Sequence, residues 1–473
     1  MARLPNTTRW RNFSGGVIQR VSSDIANQSG VPFSMNLLFD RDLGQAVSRQ
    51  GTNIVGNQLS AGNACQGLFQ HIDSVFANSK LFGSFAGTIY DVVAGSSSLA
   101  SLSTSAKMRF ATFLNSTLML NGAQYRSYTA AGGWISTGGA FDLANIPAGA
   151  TLPVEFKDRA YCVVTDKIYY TATPSAGVCA WTVTGSGSLQ AEQEDGGGTV
   201  QGLNKVPGYL MIYKQRSLKR WNFDSTFPED LINIGTQSNE SILRARGRNF
   251  FFSGPTGFYE TNGGYPNKIS RPIQRIVDAI PASFYANING WSDNDNLYWS
   301  VGDLTIDFDR GFTENYNNVV CRYTLDSQQW AVLSYAHEFR FMHQYIDTSS
   351  NALIVGGDTD GQVLQLNTGN SDYSGNAITY ILQSPEFIFS ARELKKTISD
   401  RIFCHSDGIE GALLEVRLDY GNWVSIGSLK DIVTEIQIQP LTAFVFEFRI
   451  TDSITGSQIK LRGLDFPNVF VNS

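Results

Sequence analysis

The sequence carries little charge. Only 16% of its 473 residues are Asp, Glu, Lys or Arg, and the formal net charge is −6. Because 42% of the residues are hydrophobic, the low charge argues against disorder and for a packed core. A slightly acidic chain also has no bulk electrostatic attraction to nucleic acid or to an anionic membrane.

Cysteine is scarce and scattered. The chain has five cysteines, and the nearest two, Cys162 and Cys179, are 17 positions apart (179 − 162). The number is odd, and neither a CxxC motif nor a Cys/His spacing typical of zinc sites occurs. We therefore expect no disulfide framework, no metal site and no cofactor, in a protein that folds in a reducing compartment.

Long apolar runs are absent as well. No run approaches the roughly 20 residues that a membrane-spanning helix needs. The opening MARLPNTTRWRNFSGG contains no apolar stretch of the kind that a signal peptide requires. We expect neither a signal peptide nor a membrane span.

Glycine and aromatic residues are abundant, with 45 Gly and 12% Phe, Trp and Tyr. Residues 242–280 show how they are used. Two strands, 245–253 and 258–261, flank the turn SGPTG, whose Gly and Pro suit turn geometry. The apolar residues Ile273, Ile276, Val277 and Ile280 then follow helical spacing, and Pro281 ends the predicted helix.

This unit of strand, glycine-containing turn and aromatic strand recurs along most of the chain at intervals of roughly 30–55 residues, near the blade length of β-propellers. One hairpin cannot bury both of its faces, so such units stack around an axis. We predict an all-β protein with a β-propeller of six or seven blades. Residues 132–153 and 182–202 lack periodicity and are predicted as long loops, with a solvated turn at 192–198.

The two ends of the chain differ from the middle. Residues 1–60 are predicted as an N-terminal arm that packs on a larger body, and residues 61–375 as the propeller. Residues 376–473 contain about eight longer alternating strands, which favours a C-terminal β-sandwich of jelly-roll or immunoglobulin-like type. In one of these strands Leu414, Val416 and Leu418 form an apolar face, and Glu415 and Arg417 point the other way.

Catalytic motifs are weak. His337 and His343 are six positions apart and match no zinc-binding pattern. The segment SDNDNLYW at 292–299 has the look of a sialidase-type turn, but it occurs once and favours a plain hairpin. The turn Asp358-Thr359-Asp360-Gly361 lacks the rest of a calcium loop. We predict no catalytic residues, and a protein that is not an enzyme.

Eight basic residues cluster modestly between positions 205 and 248: Lys205, Lys214, Arg216, Lys219, Arg220, Arg244, Arg246 and Arg248. A solvated face or a subunit contact is the ordinary interpretation. A stripe that faces phosphates is the alternative.

Three stretches resemble the tail hub or nozzle proteins of short-tailed bacteriophages, also called packaged-DNA stabilisation or head-completion proteins. The opening RNFSGG…SMNLLFD…SRQGT is similar to their N-terminal arm. FFFSGPTGFYETNGGYPNKISRPIQRIV resembles their phenylalanine-rich strand and helix unit. WAVLS, followed by LIVGGDTDGQVLQLNTGNSDYSG, resembles their penultimate blade.

The resemblance implies a structural virion protein that is made in the bacterial cytoplasm. It implies a homo-oligomeric ring, a hexamer, below the portal and adaptor, which closes the DNA exit channel and passes double-stranded DNA without sequence-specific binding. We expect a neutral or acidic channel lining. We also expect Arg9, Arg11 and Arg49 to lie at interfaces with neighbours, with no membrane partner. The sequence assigns no channel-facing residue.

Two other functions stay open. One is a carbohydrate-binding or carbohydrate-cleaving propeller of a phage tail or bacterial surface. Clustered exposed Trp residues and convergent carboxylates would favour this function. The other is a generic interaction scaffold.

Overall fold

The computed structural model describes residues 2–3, 8–19, 30–191, 196–225, 227–307, 313–389, 394–407, 411–430, 432–454 and 458–471. In this part the protein is all-β, with one α-helix, α1 (Gln274–Ala279). Short 3-10 helices span Phe76–Asn78, Leu143–Asn145, Asn239–Ser241, Arg271–Ile273, Ala282–Asn287 and Tyr373–Gly375. None of these helices combines the length and the apolar character that crossing a membrane requires.

The N-terminal segment contains eight short strands. They are β1 (Ala2–Arg3), β2 (Thr8–Trp10), β3 (Gly16–Val17), β4 (Gly30–Val31), β5 (Phe33–Met35), β6 (Leu37–Asp40), β7 (Gln45–Ser48) and β8 (Thr52–Ile54). β3 and β4 pair with each other in parallel, and the others join larger sheets formed by distant parts of the chain.

The middle of the chain forms blades, each a four-stranded antiparallel sheet. Blade 1 is β9 (Cys65–His71), β10 (Lys80–Phe85), β11 (Thr88–Asp91) and β12 (Ser96–Leu99), and blade 2 is β13 (Arg109–Phe113), β14 (Ser116–Leu120), β15 (Tyr125–Thr129) and β16 (Gly133–Ile135). Blade 3 is β17 (Thr151–Phe156), β18 (Arg159–Val164), β19 (Lys167–Tyr170) and β20 (Gly187–Gln190), and blade 4 is β21 (Val200–Val206), β22 (Tyr209–Lys214), β23 (Leu218–Trp221) and β24 (Glu229–Ile232).

Three further blades complete the ring. Blade 5 is β25 (Leu243–Ala245), β26 (Arg248–Ser253), β27 (Gly257–Thr261) and β28 (Asn267–Lys268), and blade 6 is β29 (Asn289–Ser292), β30 (Asn296–Asp307), β31 (Thr313–Thr324) and β32 (Gln329–Ser334). Blade 7 takes β33 (Phe339–Ile346), β34 (Ala352–Asp358) and β35 (Val363–Leu366) from this region and its outermost strand, β8, from the N-terminal segment. The prediction of a propeller is confirmed, with seven blades.

The ring is closed by strand β8. Thr52 pairs with Leu366, and Ile54 pairs with Leu364, more than 300 positions away. Because β8 then leads into blade 1, the first and last blades are joined by backbone hydrogen bonds. The propeller therefore begins at Thr52 rather than at the predicted residue 61.

The predicted helix is present as α1, which packs on β30. Ile273, Ile276, Val277 and Ile280 are buried in a large core shared by blades 5 and 6. The predicted loops were wrong in part, because 132–153 contains β16 and the start of β17, and 182–202 contains β20 and the start of β21. β16 and β20 are short outer strands that are largely half-exposed, so they leave no alternating pattern. Residues 192–195 of the predicted turn lie outside the described part.

The C-terminal region forms a β-sandwich. Its strands are β36 (Ile378–Gln383), β37 (Lys396–Asp407), β38 (Leu413–Leu418), β39 (Val424–Ser428), β40 (Ile432–Ala443), β41 (Phe446–Ile454), β42 (Lys460–Phe466) and β43 (Val469–Val471). One sheet has the order β39-β38-β41-β36-β5, and the other combines β37, β40, β42 and β43 with β1, β2, β6 and β7.

The sandwich is thus built from both ends of the chain. Trp10, Phe13, Val31 and Leu37 are buried in the same core as Leu414 and the other apolar residues of the C-terminal strands. The described residues of the predicted arm therefore include strands of both sheets of the sandwich, rather than a covering on its surface.

Candidate functional site

Aromatic rings from four inner strands meet at the axis of the propeller. Phe69 of β9 stacks on Phe110 of β13 with ring centroids 5.3 Å apart. On its other side Phe69 lies 5.3 Å from the ring of His343 in β33, which lies 4.2 Å from Trp291 of β29. The rings meet near the axis at this level, in the offset and tilted contacts that aromatic pairs prefer.

A three-residue ion cluster lies at the same level. Glu240 precedes the inner strand of blade 5, and its carboxylate accepts hydrogen bonds from Arg109 Nε at 2.7 Å and from Lys107 Nζ at 3.0 Å. Burial alone would raise the pKa of Glu240, but the two cations outweigh it and hold that pKa far below its usual range. The cluster joins blade 2 to blade 5 across the axis.

Two cavities follow the axis from one mouth of the propeller. The first, of about 360 Å³, is lined by polar and basic side chains that include Gln66, Lys107 and Arg340. The second, of about 170 Å³, is lined by the residues that come next along the inner strands. The aromatic rings described above form part of its wall. Phe341 lines both cavities.

His343 makes the stability of this site depend on pH. Burial lowers its pKa to about 3, against about 6.5 in an unfolded chain. Between these two pH values His343 is protonated in the unfolded chain but neutral in the folded protein. The contribution of His343 to stability is therefore complete above pH 6.5 and is lost as the pH falls.

We expect the free energy of unfolding to fall by about 2 kcal/mol more between pH 7 and pH 5 in the wild type than in His343→Phe. Urea unfolding at the two pH values measures this difference. His337→Phe is the control with the opposite sign, because a hydrogen bond to Asp358 raises the pKa of His337 and favours folding at low pH. Equal pH dependence in the wild type and His343→Phe would contradict the expectation.

His71 shows an arrangement that the sequence did not reveal. Its Nδ1 lies 2.9 Å from the hydroxyl of Thr117, and its Nε2 lies 3.8 Å from a carboxylate oxygen of Asp73. Hydroxyl, imidazole and carboxylate have the order of a hydrolase triad. However, Thr117 and His71 are both fully buried, so a substrate cannot reach the hydroxyl, and we assign the group to the core.

The basic cluster at 205–248 is largely neutralised. Five of its eight members form ion pairs with carboxylates: Lys205 with Glu155, Lys219 with Asp230, Arg220 with Glu229, Arg246 with Asp295 and Asp326, and Arg248 with Glu260. Lys214 is buried, whereas Arg216 and Arg244 are exposed. A cation that already has a carboxylate partner releases fewer counterions when DNA approaches, so this face is a poor phosphate stripe.

The three predicted interface arginines lie in different environments. Arg9 is exposed. Arg11 is half-exposed and binds Asp465 of β42, with Nε 2.7 Å from Oδ1. Whether Arg9 and Arg11 contact a neighbouring subunit stays a prediction.

Arg49 is a different case, because the residue is only 2% exposed. It pairs with Asp372, which follows the last blade, and its guanidinium lies 4.0 Å from the ring centre of Tyr335. It therefore joins parts of one chain at the junction of propeller and sandwich, and it does not present a surface to a neighbour.

The two weak motifs are structural turns. Asp293 Oδ1 accepts hydrogen bonds from the backbone N–H groups of Asp295 and Asn296 in the hairpin between β29 and β30. Asp358 Oδ1 likewise accepts from the N–H groups of Asp360 and Gln362. In the described part of the chain no cluster of His, Cys, Asp or Glu is arranged to hold a metal ion.

Comparison with known proteins identifies no family for this chain. No protein-family model and no curated protein matches the sequence. Among solved structures, the chain is similar to U3-55K (TM-score 0.42, 7% identity, 67% of this chain and 98% of that one) and to the AfRom2 CNH domain (0.41, 12%, 68% and 100%). A third is YCF48 bound to D1 peptide (0.38, 11%, 68% and 100%). These likenesses are too low to bear on function, and the propeller assignment stands on the seven sheets themselves.

Proposed function

We propose that this protein is a structural component of a short-tailed phage virion, a tail hub or nozzle subunit. Copies of the chain form a ring, a hexamer, beneath the portal and adaptor in the neck of the virion. The ring encloses the DNA exit channel, retains packaged DNA and passes it at ejection, without catalysis.

The observation that carries the proposal is the pairing of surface cations. A channel that passes DNA must bind it only weakly, because each Lys or Arg that contacts a phosphate adds affinity through counterion release. Arg246 is an example of such pairing, because its guanidinium nitrogens lie 2.8 Å from a carboxylate oxygen of Asp295 and 2.5 Å from one of Asp326. With a net charge of −6, such pairing suits a channel lining that is neutral or acidic.

The axis of a single propeller is not the DNA path in this proposal. The rings of Phe69, Phe110, Trp291 and His343 pack against one another at that axis. A double helix, whose major groove alone is about 12 Å wide, has no room there. The channel is instead enclosed between subunits, as the ring requires.

The positions of the resembling motifs also support the proposal. The arm motif SRQGT contains Arg49, which joins propeller to sandwich, and Thr52, which closes the ring of blades. SMNLLFD contains Asn36, whose Nδ2 donates to the carbonyl oxygen of Thr379 in the sandwich. The residues that carry the resemblance therefore include ones that connect the propeller to the sandwich. An ordinary propeller hairpin contains no such residues.

Ring formation is tested by measuring the molecular mass of the protein in solution. We would purify the protein, mix it with the portal–adaptor complex of the same virion, and measure assembly by light scattering and negative-stain imaging. Rings, alone or on the portal complex, would support the proposal. A persistent monomer that ignores portal complexes would overturn it and favour the carbohydrate alternative, which a glycan array would then address.

We expect no measurable binding of double-stranded DNA by the wild type at 0.15 M salt. A variant that combines Glu229→Gln, Glu260→Gln, Asp295→Asn and Asp326→Asn frees Arg220, Arg246 and Arg248. It should bind DNA with an affinity that falls with salt at a slope near −0.9 for each phosphate contacted. Fluorescence anisotropy at several salt concentrations measures both.

The matched control for this DNA experiment removes four carboxylates that form no ion pair in the described part of the chain: Asp42→Asn, Asp142→Asn, Asp158→Asn and Asp347→Asn. This control should resemble the wild type. Tight, salt-sensitive DNA binding by the wild type itself would contradict the proposal of a channel with low affinity for DNA.

A further inference from the structure

A pocket of about 590 Å³ opens between the loops of blades 4 and 5. Its wall comes from the turn between β22 and β23, the loop 233–237 after β24, the turn between β26 and β27, and two glycines that precede β21. Ligand pockets in proteins have volumes of about 300–1,000 Å³. The pocket is therefore large enough to hold a small ligand.

The polar side chains of this wall are open to solvent and have no partner within the protein. The wall includes Gln215, Arg216, Asn233 and Gln237, each of which is exposed or half-exposed. Within the described part of the chain, none of these side chains makes a hydrogen bond or an ion pair. Their donors and acceptors are therefore available to a ligand.

The cavity at the junction of propeller and sandwich shows the opposite arrangement. It is larger, about 680 Å³, but charged residues of its wall are already paired, Arg49 with Asp372 and Arg449 with Glu314. A ligand that bound these groups would first have to break the ion pairs that join the two domains. The pocket between blades 4 and 5 carries no such cost.

Main-chain contacts hold the wall of the pocket in place. The N–H of Arg216 donates to the carbonyl oxygen of Gly197 at 2.8 Å, which joins two of its loops. Gly235 brings a third loop close, because a Cβ at that position would overlap the carbonyl oxygen of Lys214. The loops are fixed without the use of their polar side chains, so little backbone freedom is lost when a ligand binds.

The free groups match hydroxyl groups better than they match an anion. Each side-chain amide presents both a donor and an acceptor, and the guanidinium of Arg216 presents donors alone. A sugar hydroxyl donates and accepts, so one sugar can satisfy groups of both kinds. A phosphate or a carboxylate only accepts hydrogen bonds, and the amide oxygens would repel it. Ile234 and Pro255 add apolar surface for the C–H groups of a sugar ring.

We propose that this pocket binds a neutral carbohydrate, whose hydroxyl groups bond to Gln215, Arg216, Asn233 and Gln237. The described residues of the wall include no Asp or Glu, and glycoside cleavage ordinarily uses two carboxylates, so the proposal is binding without cleavage. It goes beyond the proposed ring function and does not depend on it, because the whole pocket lies within one subunit.

The test uses the full chain on an array of bacterial and animal glycans, followed by isothermal titration with the neutral oligosaccharide that is retained best. The triple variant Gln215→Ala, Asn233→Ala and Gln237→Ala defines the background. We expect it to weaken the titrated affinity about tenfold or more, because each lost hydrogen bond between uncharged groups weakens binding about fivefold. Circular dichroism checks that this variant, which changes only solvent-accessible side chains, is folded.

The matched control removes two Gln and one Asn side chain outside the pocket: Gln50→Ala, Asn422→Ala and Gln439→Ala. These residues are exposed, and their side chains have no hydrogen bond in the described part of the chain. This control should bind the oligosaccharide as tightly as the wild type.

Three results would overturn the proposal. The first is retention of neutral glycans by the wild type that is no higher than that of the triple variant. The second is oligosaccharide binding that the triple variant leaves unaltered, which would place the sugar elsewhere. The third is binding of inorganic phosphate that Arg216→Ala abolishes, without any glycan binding, which would identify an anion site. The oligomeric state in the mass experiment affects none of these outcomes, so failure of the pocket and failure of the ring are distinguishable.

Discussion

Replacing Asp372 by alanine is expected to lower the free energy of unfolding by about 3–5 kcal/mol, the usual cost of removing one partner of a buried ion pair. Both carboxylate oxygens of Asp372 accept from Arg49, at 2.8 and 2.7 Å. The side chains of Arg49 and Asp372 are 1% and 4% exposed. Loss of the carboxylate therefore leaves a guanidinium that is neither hydrated nor paired.

The other contacts of Arg49 explain why relaxation cannot remove this cost. Its Nε donates to Asn36 Oδ1 at 2.8 Å, and its terminal nitrogens donate to the carbonyl oxygens of Gln50 and Ser334 at 2.9 and 2.6 Å. The guanidinium is held from several directions and cannot move to solvent without breaking these bonds. Asp372 in turn also accepts from the N–H of Ala336, so its loss leaves a second group unpaired.

Urea unfolding of Asp372→Ala against the wild type measures the effect. The matched control is Glu229→Ala, which breaks the exposed pair with Arg220 and should cost less than about 1 kcal/mol. The double variant Arg49→Met with Asp372→Leu should recover part of the loss, because apolar replacement of a buried pair is often tolerated. A cost for Asp372→Ala no larger than that for Glu229→Ala would contradict our account of the junction.

Local pattern in the sequence was sufficient for much of the fold. The hairpins of the blades, the helix α1 and the start of the sandwich all leave short-range signals, because strand alternation, helical spacing and glycine turns lie within a few residues. The strands β16, β20 and β28 left no such signal. They are two to four residues long and largely half-exposed, so neither face is marked by apolar residues.

Long-range pairing was beyond the sequence. Arg49 and Asp372 are 323 positions apart, and Arg109 and Glu240 are 131 apart. Nothing in the composition around any of these residues identifies its partner. The same holds for β8, whose outward residue Asn53 gives no hint that the strand closes blade 7. The candidate site at the axis was missed for this reason, since its side chains come from different blades.

The C-terminal region is expected not to fold when it is produced alone as residues 376–473. It would lack β5, which pairs with β36, and β2 and β7, which pair with β42. It would also lack Trp10 and Phe13, which are buried in its core. Each fully buried large apolar side chain contributes roughly 1.5–3 kcal/mol, and a domain has only about 5–15 kcal/mol of stability in total.

A fusion of residues 8–50 to residues 370–473 through a short Gly/Ser linker should restore folding. The two segments already meet, because Gly51 N donates to the carbonyl oxygen of Gly369 at 3.1 Å and Arg49 pairs with Asp372. A flexible linker therefore needs to span only a short gap. We expect the fusion to unfold cooperatively in urea and the fragment 376–473 to show no cooperative transition by circular dichroism.

The control is the same fusion with Leu37→Asp, which places a charge at a fully buried position of the sandwich core and should prevent folding. If the fragment 376–473 alone unfolded as cooperatively as the fusion, the N-terminal strands would be dispensable. The sandwich would then be an independent C-terminal domain with the arm merely attached. If the fusion folds and the fragment does not, the two chain ends form one domain into which the propeller is inserted, and the junction at Arg49 is the point where both domains are fixed.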